Sequence, residues 1–422
     1  MSLYNEKNKI KASPYTSLFF IEYQLSTTRN DYHIVFDQVI KGELDTTKLQ
    51  KGLTRFIQEH IIFNSHLIEK EDGLYWEKNQ KIYPLEIFNT TENQASFIKK
   101  PFDLTQGPLY RFGLFKVNEL KYEIILVLHH AIIDGRNYNN FLERISNYYN
   151  NDKFTVGSSQ TQIRNITLTY DLIEKRINSL LKKNHATSFW KKLLANLPYR
   201  NELPYINKQR KIKNKISSLA FEIDLNHFDV LKERFPSIFN VLLLSWGVLI
   251  AKYSGIEEAH ISYPIAIKEC NALEYGAQIN TLIMPIRFTQ EESFCDLYTL
   301  TAEFINSTDK NEKMKYKYLP IKNILKACDI RGSNIAFSQT NLKNTKIDLK
   351  KCHAEVKLRH NIDIAGSDIL LSYQQTETGK YSFLLLYDTS IFNKKFIIEL
   401  RMGIYTSPDK TPFITMNYQK SL

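Results

Sequence analysis

The chain has 422 residues, of which 43% are hydrophobic and 24% charged, with only 14 glycines. That length exceeds one ordinary core and suits two linked subdomains, and the glycine scarcity excludes a collagen-like or linker-like chain. The net charge of +11 favours anionic partners, but Lys and Arg are spread along the chain, the local clusters at 208–215 and 310–317 read as solvated surface, and neither zinc-finger spacing nor an aromatic RNA-binding signature is present, so nucleic acid is not expected.

In chain order, residues 15–25 are apolar and aromatic, and 32–42 read as a strand ending in a turn. Asp45 is placed to cap a helix carrying Leu49, Leu53, Phe56 and Ile57 at helical spacing. Short strands follow near 63–68 and 74–76, then a turn-rich stretch at 101–111 and a strand pair at 111–117 and 121–129. The second of these is apolar on both faces and belongs inside a sheet. Asp134 and Gly135 break it, and Tyr138, Phe141, Leu142, Ile145 and Tyr149 mark an amphipathic helix, with Tyr138 in the core. The polar stretch 150–159 and a charged helix over about 170–183 place the division between 1–165 and 166–422.

The second part predicts helices at 189–194, 237–253 (stopping at Gly255), 293–304, 320–328 and 394–401. Strands are predicted at 219–223, 259–265, 281–288, 335–339, 368–374 and 382–387. The fold class is therefore α+β, with helices covering sheets in both parts. Cys270, Cys295, Cys328 and Cys352 form no CxxC pair, so neither a metal site nor a redox dithiol is expected. The opening residues lack the apolar core of a signal peptide and no apolar run is long enough to span a bilayer, so the cytoplasm is the expected compartment, without membrane association.

Chemistry concentrates at His129-His130-Ala131-Ile132-Ile133-Asp134-Gly135, at the end of the buried strand. A lone buried histidine usually only satisfies a local hydrogen bond, and Asp-Gly alone is usually a turn. The two together at a strand end point to a histidine projecting into a cavity, with Asp134 restraining the turn and Gly135 permitting a tight backbone. His130 is the candidate catalytic group, because neutral imidazole suits proton transfer near neutral pH. His129 must face the other way along the strand and is expected to be structural.

This run resembles the HHxxxDG signature of the condensation domains of nonribosomal peptide synthetases, shared with variations by the chloramphenicol-acetyltransferase-like superfamily. The resemblance continues, in order, through Asp31 to Asp45 and the helix to His60, Pro101-Phe102-Asp103-Leu104 to Arg111, Gln278 to Arg287, and Leu386 to Phe392. One departure is plain: where the family usually has LRTRF, this chain has Phe63-Asn64-Ser65-His66-Leu67, without either arginine. The Asp-for-His pattern of the cyclising subclass, the DFGWG element of plant-type relatives and an epimerase signature are absent.

The resemblance implies two chloramphenicol-acetyltransferase-like subdomains in a V-shaped pseudo-dimer with a central tunnel. It also implies transfer of an acyl or peptidyl group from a carrier protein's phosphopantetheine thioester to an amine acceptor, with no cofactor bound by the chain itself. Within it, His130 acts as base or as positioner of the amine, Asp134 orients the turn and the Gly135 amide helps stabilise the oxyanion. Arg287 is a candidate ion-pair partner of Asp134, and Asn280 supports the site from the second part. Because the family match uses up the chain, a free-standing monomeric enzyme with a soluble acceptor is expected, drawing an acidic carrier protein by its positive charge. The alternatives are an O-acyltransferase using a CoA or carrier thioester, and a non-catalytic docking module.

Overall fold

The computed structural model describes residues 10–25, 32–135, 137–151, 158–182, 184–206, 216–223, 235–267, 275–289, 291–306, 316–340, 346–357, 367–376 and 380–405. The basic cluster 208–215, most of the cluster 310–317, Asp31 and Cys270 lie outside them.

The chain forms two compact units. The first comprises 1–175, 267–279 and 344–363, and the second 176–266, 280–343 and 364–422. The division expected at 165/166 thus falls instead at 175/176, inside one continuous helix, and two later segments belong to the first unit. A linear reading of polarity cannot register such returns, because each returning segment is short and looks like an ordinary loop or strand end.

In the first unit, β1 (Ile10–Lys11), β4 (Gly73–Lys78) and β3 (Ser65–Lys70) make a small antiparallel sheet. The main sheet has the order β12 (Cys352–Val356), β2 (His33–Gly42), β7 (Lys121–His129), β6 (Tyr110–Asn118), β5 (Glu86–Phe88). β7 is flanked on both sides, as its unbroken apolar run requires, and residues 124–129 are all buried. The helices are α1 (Pro14–Leu25), α2 (Thr46–Glu59), α3 (Gln94–Lys99), α4 (Tyr138–Asn150) and the start of α5 (Ser159–Lys182). Asp45 caps α2, accepting from the Lys48 amide at 2.8 Å, a contact worth about 1 kcal/mol. Leu49, Leu53, Phe56 and Ile57 are fully buried on the face of α2 that packs with α4.

In the second unit, a six-stranded sheet has the order β10 (Ile279–Arg287), β9 (Glu258–Ala266), β11 (Ile335–Gln339), β13 (Ile369–Gln375), β14 (Tyr381–Asp388), β8 (Ile216–Ile223). β9, β11 and β13 run parallel, and β13, β14 and β8 antiparallel. Its helices are α6 (His185–Leu193), α7 (Ile238–Ser254), α8 (Phe294–Asn306), α9 (Ile321–Cys328) and α10 (Lys394–Tyr405). α7 is apolar on nearly all sides because it is buried nearly all round, Trp246 included, and it packs on β9. Among the described residues no helix is long and apolar enough to cross a membrane.

Candidate active site

β7 delivers the HHxxxDG run. His129, its last residue, is fully buried; His130 follows and is only partly covered. Strand alternation sends the two side chains to different surroundings. His129 sits edge-on to the ring of Tyr23 on α1 at 4.7 Å, with Phe102 beyond, and its Nδ1 accepts the Ala131 amide at 3.1 Å. The ring proton is therefore on Nε2, which has no partner. Burial, with His33 and His130 nearby, pushes its pKa well below that of a free imidazole. His129 is thus a buried ring held neutral among aromatic neighbours.

His130 differs. Its ring stacks on Phe19 of α1, centroids 4.8 Å apart and planes 12° from parallel, and its amide donates to the Tyr32 carbonyl at 2.9 Å. Burial lowers its pKa; the carbonyls of His130 itself and Ile133, and the charge of Asp134, pull the other way, and Nδ1 is buried. Burial thus favours the neutral ring, with Nδ1 sealed inside.

The turn after His130 is clasped by residues 276–278, one of the returning segments of the first unit. The Gly276 amide donates to the Ile132 carbonyl at 2.8 Å, the Ala277 amide to the Ala131 carbonyl at 3.0 Å, and the Gln278 amide to Asp134 Oδ2 at 3.1 Å. Asp134 is 1% exposed, and its carboxylate accepts this bond from the clasp. Gly276 is required: its φ is +110°, and a Cβ would lie 2.8 Å from the Tyr170 hydroxyl. The clasp is tied in turn to α1, where Ser13 Oγ donates to the Ala277 carbonyl at 3.4 Å and accepts the Thr16 amide at 3.1 Å.

Gly135 corrects an expectation. Its φ lies outside the left-handed region, and a Cβ would meet nothing closer than Tyr138 Cε2 at 3.8 Å. The backbone does not need glycine there; the position is simply open. Two further expectations are corrected. Arg287 does not pair with Asp134: it binds Glu258 at 2.5 Å and the carbonyls of Leu193 and Ala195 at 3.0 and 2.6 Å, all within the second unit. It stands nine residues beyond Gln278, about 30 Å along an extended strand. Asn280, 1% exposed, spends its amide on the second unit, donating to the Lys317 and Leu319 carbonyls at 2.8 and 2.9 Å and accepting the Ile321 amide at 3.1 Å. It pins the 317–321 segment rather than the histidine turn.

Where the family usually has arginines, the Asn64 backbone pairs with His60 and Asn79, and His66 Nδ1 lies 3.0 Å from Asn79 Oδ1 with Nε2 3.5 Å from Glu77. No motif of the sequence singles out Phe19, Tyr32 or the 276–278 clasp. The aromatic density of 15–25 and the isolated Gly276 were the available signals. Among the described residues no group of three or more His, Cys, Asp and Glu could hold a metal ion.

Comparison with known proteins places this geometry. The family profile described as Condensation domain matches residues 14–403. The chain is 24% identical over 404 residues to surfactin synthase subunit 1 of Bacillus subtilis (strain 168), covering 92% of this chain and 11% of that protein. It is 22% identical over 434 residues to bacitracin synthase 1 of Bacillus licheniformis, covering 96% and 8%. The chain thus spans about a tenth of the length of these relatives. Among solved structures, the starter condensation domain of rhizomide synthetase RzmA superposes with a TM-score of 0.73 at 13% identity, over 97% of this chain and 99% of that one. The X-domain from teicoplanin biosynthesis gives 0.77 at 14%, over 94% and 93%. These likenesses establish the fold as that of condensation domains, chloramphenicol-acetyltransferase-like. With its motif in place and a family match running over nearly its whole length, this chain belongs to the condensation-domain family.

Proposed function

We propose that the chain forms an amide by transferring an acyl or peptidyl group from a carrier protein's phosphopantetheine thioester to an amine. The amine nitrogen attacks the thioester carbonyl, the carbon–sulfur bond breaks, and the proton lost by the amine passes to the departing thiolate. The observation carrying this reading is His130, a neutral, partly exposed imidazole whose Nδ1 is buried, which leaves Nε2 to meet the amine. Holding the amine in line with the carbonyl supplies much of the rate even before proton transfer. The open position at Gly135 leaves room for the reacting groups beside the turn, and its amide is the candidate oxyanion donor. A protein of net charge +11 suits an acidic carrier protein. Mass spectrometry with acyl-loaded carrier protein and a panel of amines and alcohols tests the reading; failure to transfer to any amine would overturn it.

Two outcomes follow from the geometry. Gly135→Ala keeps the fold, since the added methyl meets nothing closer than 3.8 Å, but slows transfer by about tenfold to a hundredfold by intruding on the reacting groups. Unchanged melting with unchanged turnover would show the space to be unused. The second concerns pH. His130 works in its neutral form, and its pKa is lowered from 6.5, so the protonated, inactive form accumulates only at more acidic pH than for a free imidazole. With an aromatic amine that stays neutral throughout, the transfer rate therefore declines at more acidic pH than the titration of a free imidazole. A decline already complete by pH 6.5 would contradict this.

A further inference from the structure

We propose that Ser13 is a positioning residue for acyl transfer, because its hydroxyl holds the peptide plane whose amide binds the Asp134 carboxylate. The inference rests on the acyl-transfer reading and adds to it what fixes the turn after His130 from outside the motif. Ser13 Oγ donates to the Ala277 carbonyl, and the Gln278 amide donates to Asp134 Oδ2 at 3.1 Å. That carbonyl and that amide are the two ends of one planar unit, the peptide bond between residues 277 and 278. A tilt that takes the carbonyl off Ser13 therefore takes the amide off Asp134.

Ser13 is a fixed anchor. It links β1 to α1 and is fully buried, as is Thr16. The Ala12 amide just before it donates to the Leu74 carbonyl at 2.7 Å, and Ile10 pairs with Trp76, so the chain enters Ser13 from the small sheet. On the helix side, Ser13 Oγ accepts the Thr16 amide at 3.1 Å and lies 3.0 Å from Thr16 Oγ1. A serine hydroxyl carries one proton and two lone pairs. With the proton given to Ala277, the lone pairs accept from the amide and the hydroxyl of Thr16. The group is thereby saturated, and its proton has one destination.

The Ala277 carbonyl needs this donor. Ala277 is fully buried, and a buried carbonyl left unpaired is destabilising by about as much as a lost hydrogen bond. Among the described residues, Ser13 is the group that donates to it. The bonds run in series from Thr16 to Ser13, from Ser13 to the peptide plane, and from the plane to Asp134, so each donor polarises the next. The Ala277 amide completes the attachment by donating to the Ala131 carbonyl at 3.0 Å, one residue past His130. At 3.4 Å the bond from Ser13 is long for a hydroxyl, so its loss is expected to act by several-fold rather than by orders of magnitude.

The test uses the full chain as wild type, Ser13→Gly and Ser13→Thr, with thermal melts to show that each is folded. Glycine is a tolerated helix cap, so it deletes the hydroxyl while keeping α1, and threonine puts a hydroxyl back. Ala277-Gln278 is the only Ala-Gln pair in the sequence, so 13C-carbonyl alanine with 15N-glutamine picks out one amide, that of Gln278. In wild type its proton lies downfield, as for an amide bonded to a carboxylate, and exchanges slowly. In Ser13→Gly it moves upfield and exchanges faster, and kcat falls about threefold to tenfold with KM little changed, the effect of one hydrogen bond. Ser13→Thr restores both readouts. The proposal is overturned if Ser13→Gly keeps the wild-type amide signal or the wild-type kcat, or if Ser13→Thr is as slow as Ser13→Gly. Should wild type transfer no acyl group at all, the acyl-transfer reading fails, while the amide signal still decides whether Ser13 holds the plane that binds Asp134.

Discussion

His130→Ala is expected to slow acyl transfer by about 10²–10⁴-fold, the usual contribution of a positioned acid–base group, while leaving the fold intact. The opposing stability effects are small. The substitution loses the stack on Phe19, worth about 0.5–1.5 kcal/mol, but also removes a buried polar Nδ1 and its desolvation penalty. His129→Ala separates the two histidines. It leaves the Ala131 amide without its acceptor, costing about 1–3 kcal/mol, and opens a void beside Tyr23 and Phe102 in a fully buried position. One variant should melt like wild type and transfer poorly, and the other should melt early. Single-turnover transfer from loaded carrier protein, beside thermal melts of both variants, checks this. Transfer by His130→Ala at the wild-type rate would remove the imidazole from the reaction and favour a docking role for the chain.

The contrast was legible in the sequence to the extent that strand periodicity carries it. Adjacent residues on β7 face opposite ways, and the apolar run from Ile124 to Leu128 announces an interior strand, so one histidine had to be buried differently from the other. Most helices and strands were legible for the same reason, since α2, α4 and α7 carry clear apolar patterns and Asp45 and Gly255 mark ends. What escaped was long-range. The amide that holds Asp134 belongs to Gln278, 144 positions away, and a backbone amide has no residue-type signal. Arg287, whose charge made it the obvious partner for a carboxylate, is engaged by Glu258 instead. Phe19 sits in an aromatic stretch whose members look alike in sequence; only the left-handed Tyr32 and the stacked geometry single it out. The missing arginines at Asn64 and His66 were visible as a departure, and the structure shows those positions in contact with His60, Asn79 and Glu77.

Asp134 carries the second large expected effect, and two substitutions divide its possible roles. Asp134→Ala removes the carboxylate acceptor of the buried Gln278 amide, which costs about 1–3 kcal/mol and frees one end of the clasp over Ala131 and Ile132. Because the same turn places His130 and Gly135, transfer should fall by about a hundredfold or more as the reacting geometry loosens. Asp134→Asn keeps an acceptor oxygen of the same size for the Gln278 amide and removes only the charge. If the carboxylate acts by orienting the turn, Asn retains most of the stability and more of the activity than Ala. If its charge is needed beside His130, whose protonated form it favours, Asn is as inactive as Ala while remaining folded. Melting curves and single-turnover rates for both variants decide between these, and the 3.1 Å bond to a buried backbone amide favours the first.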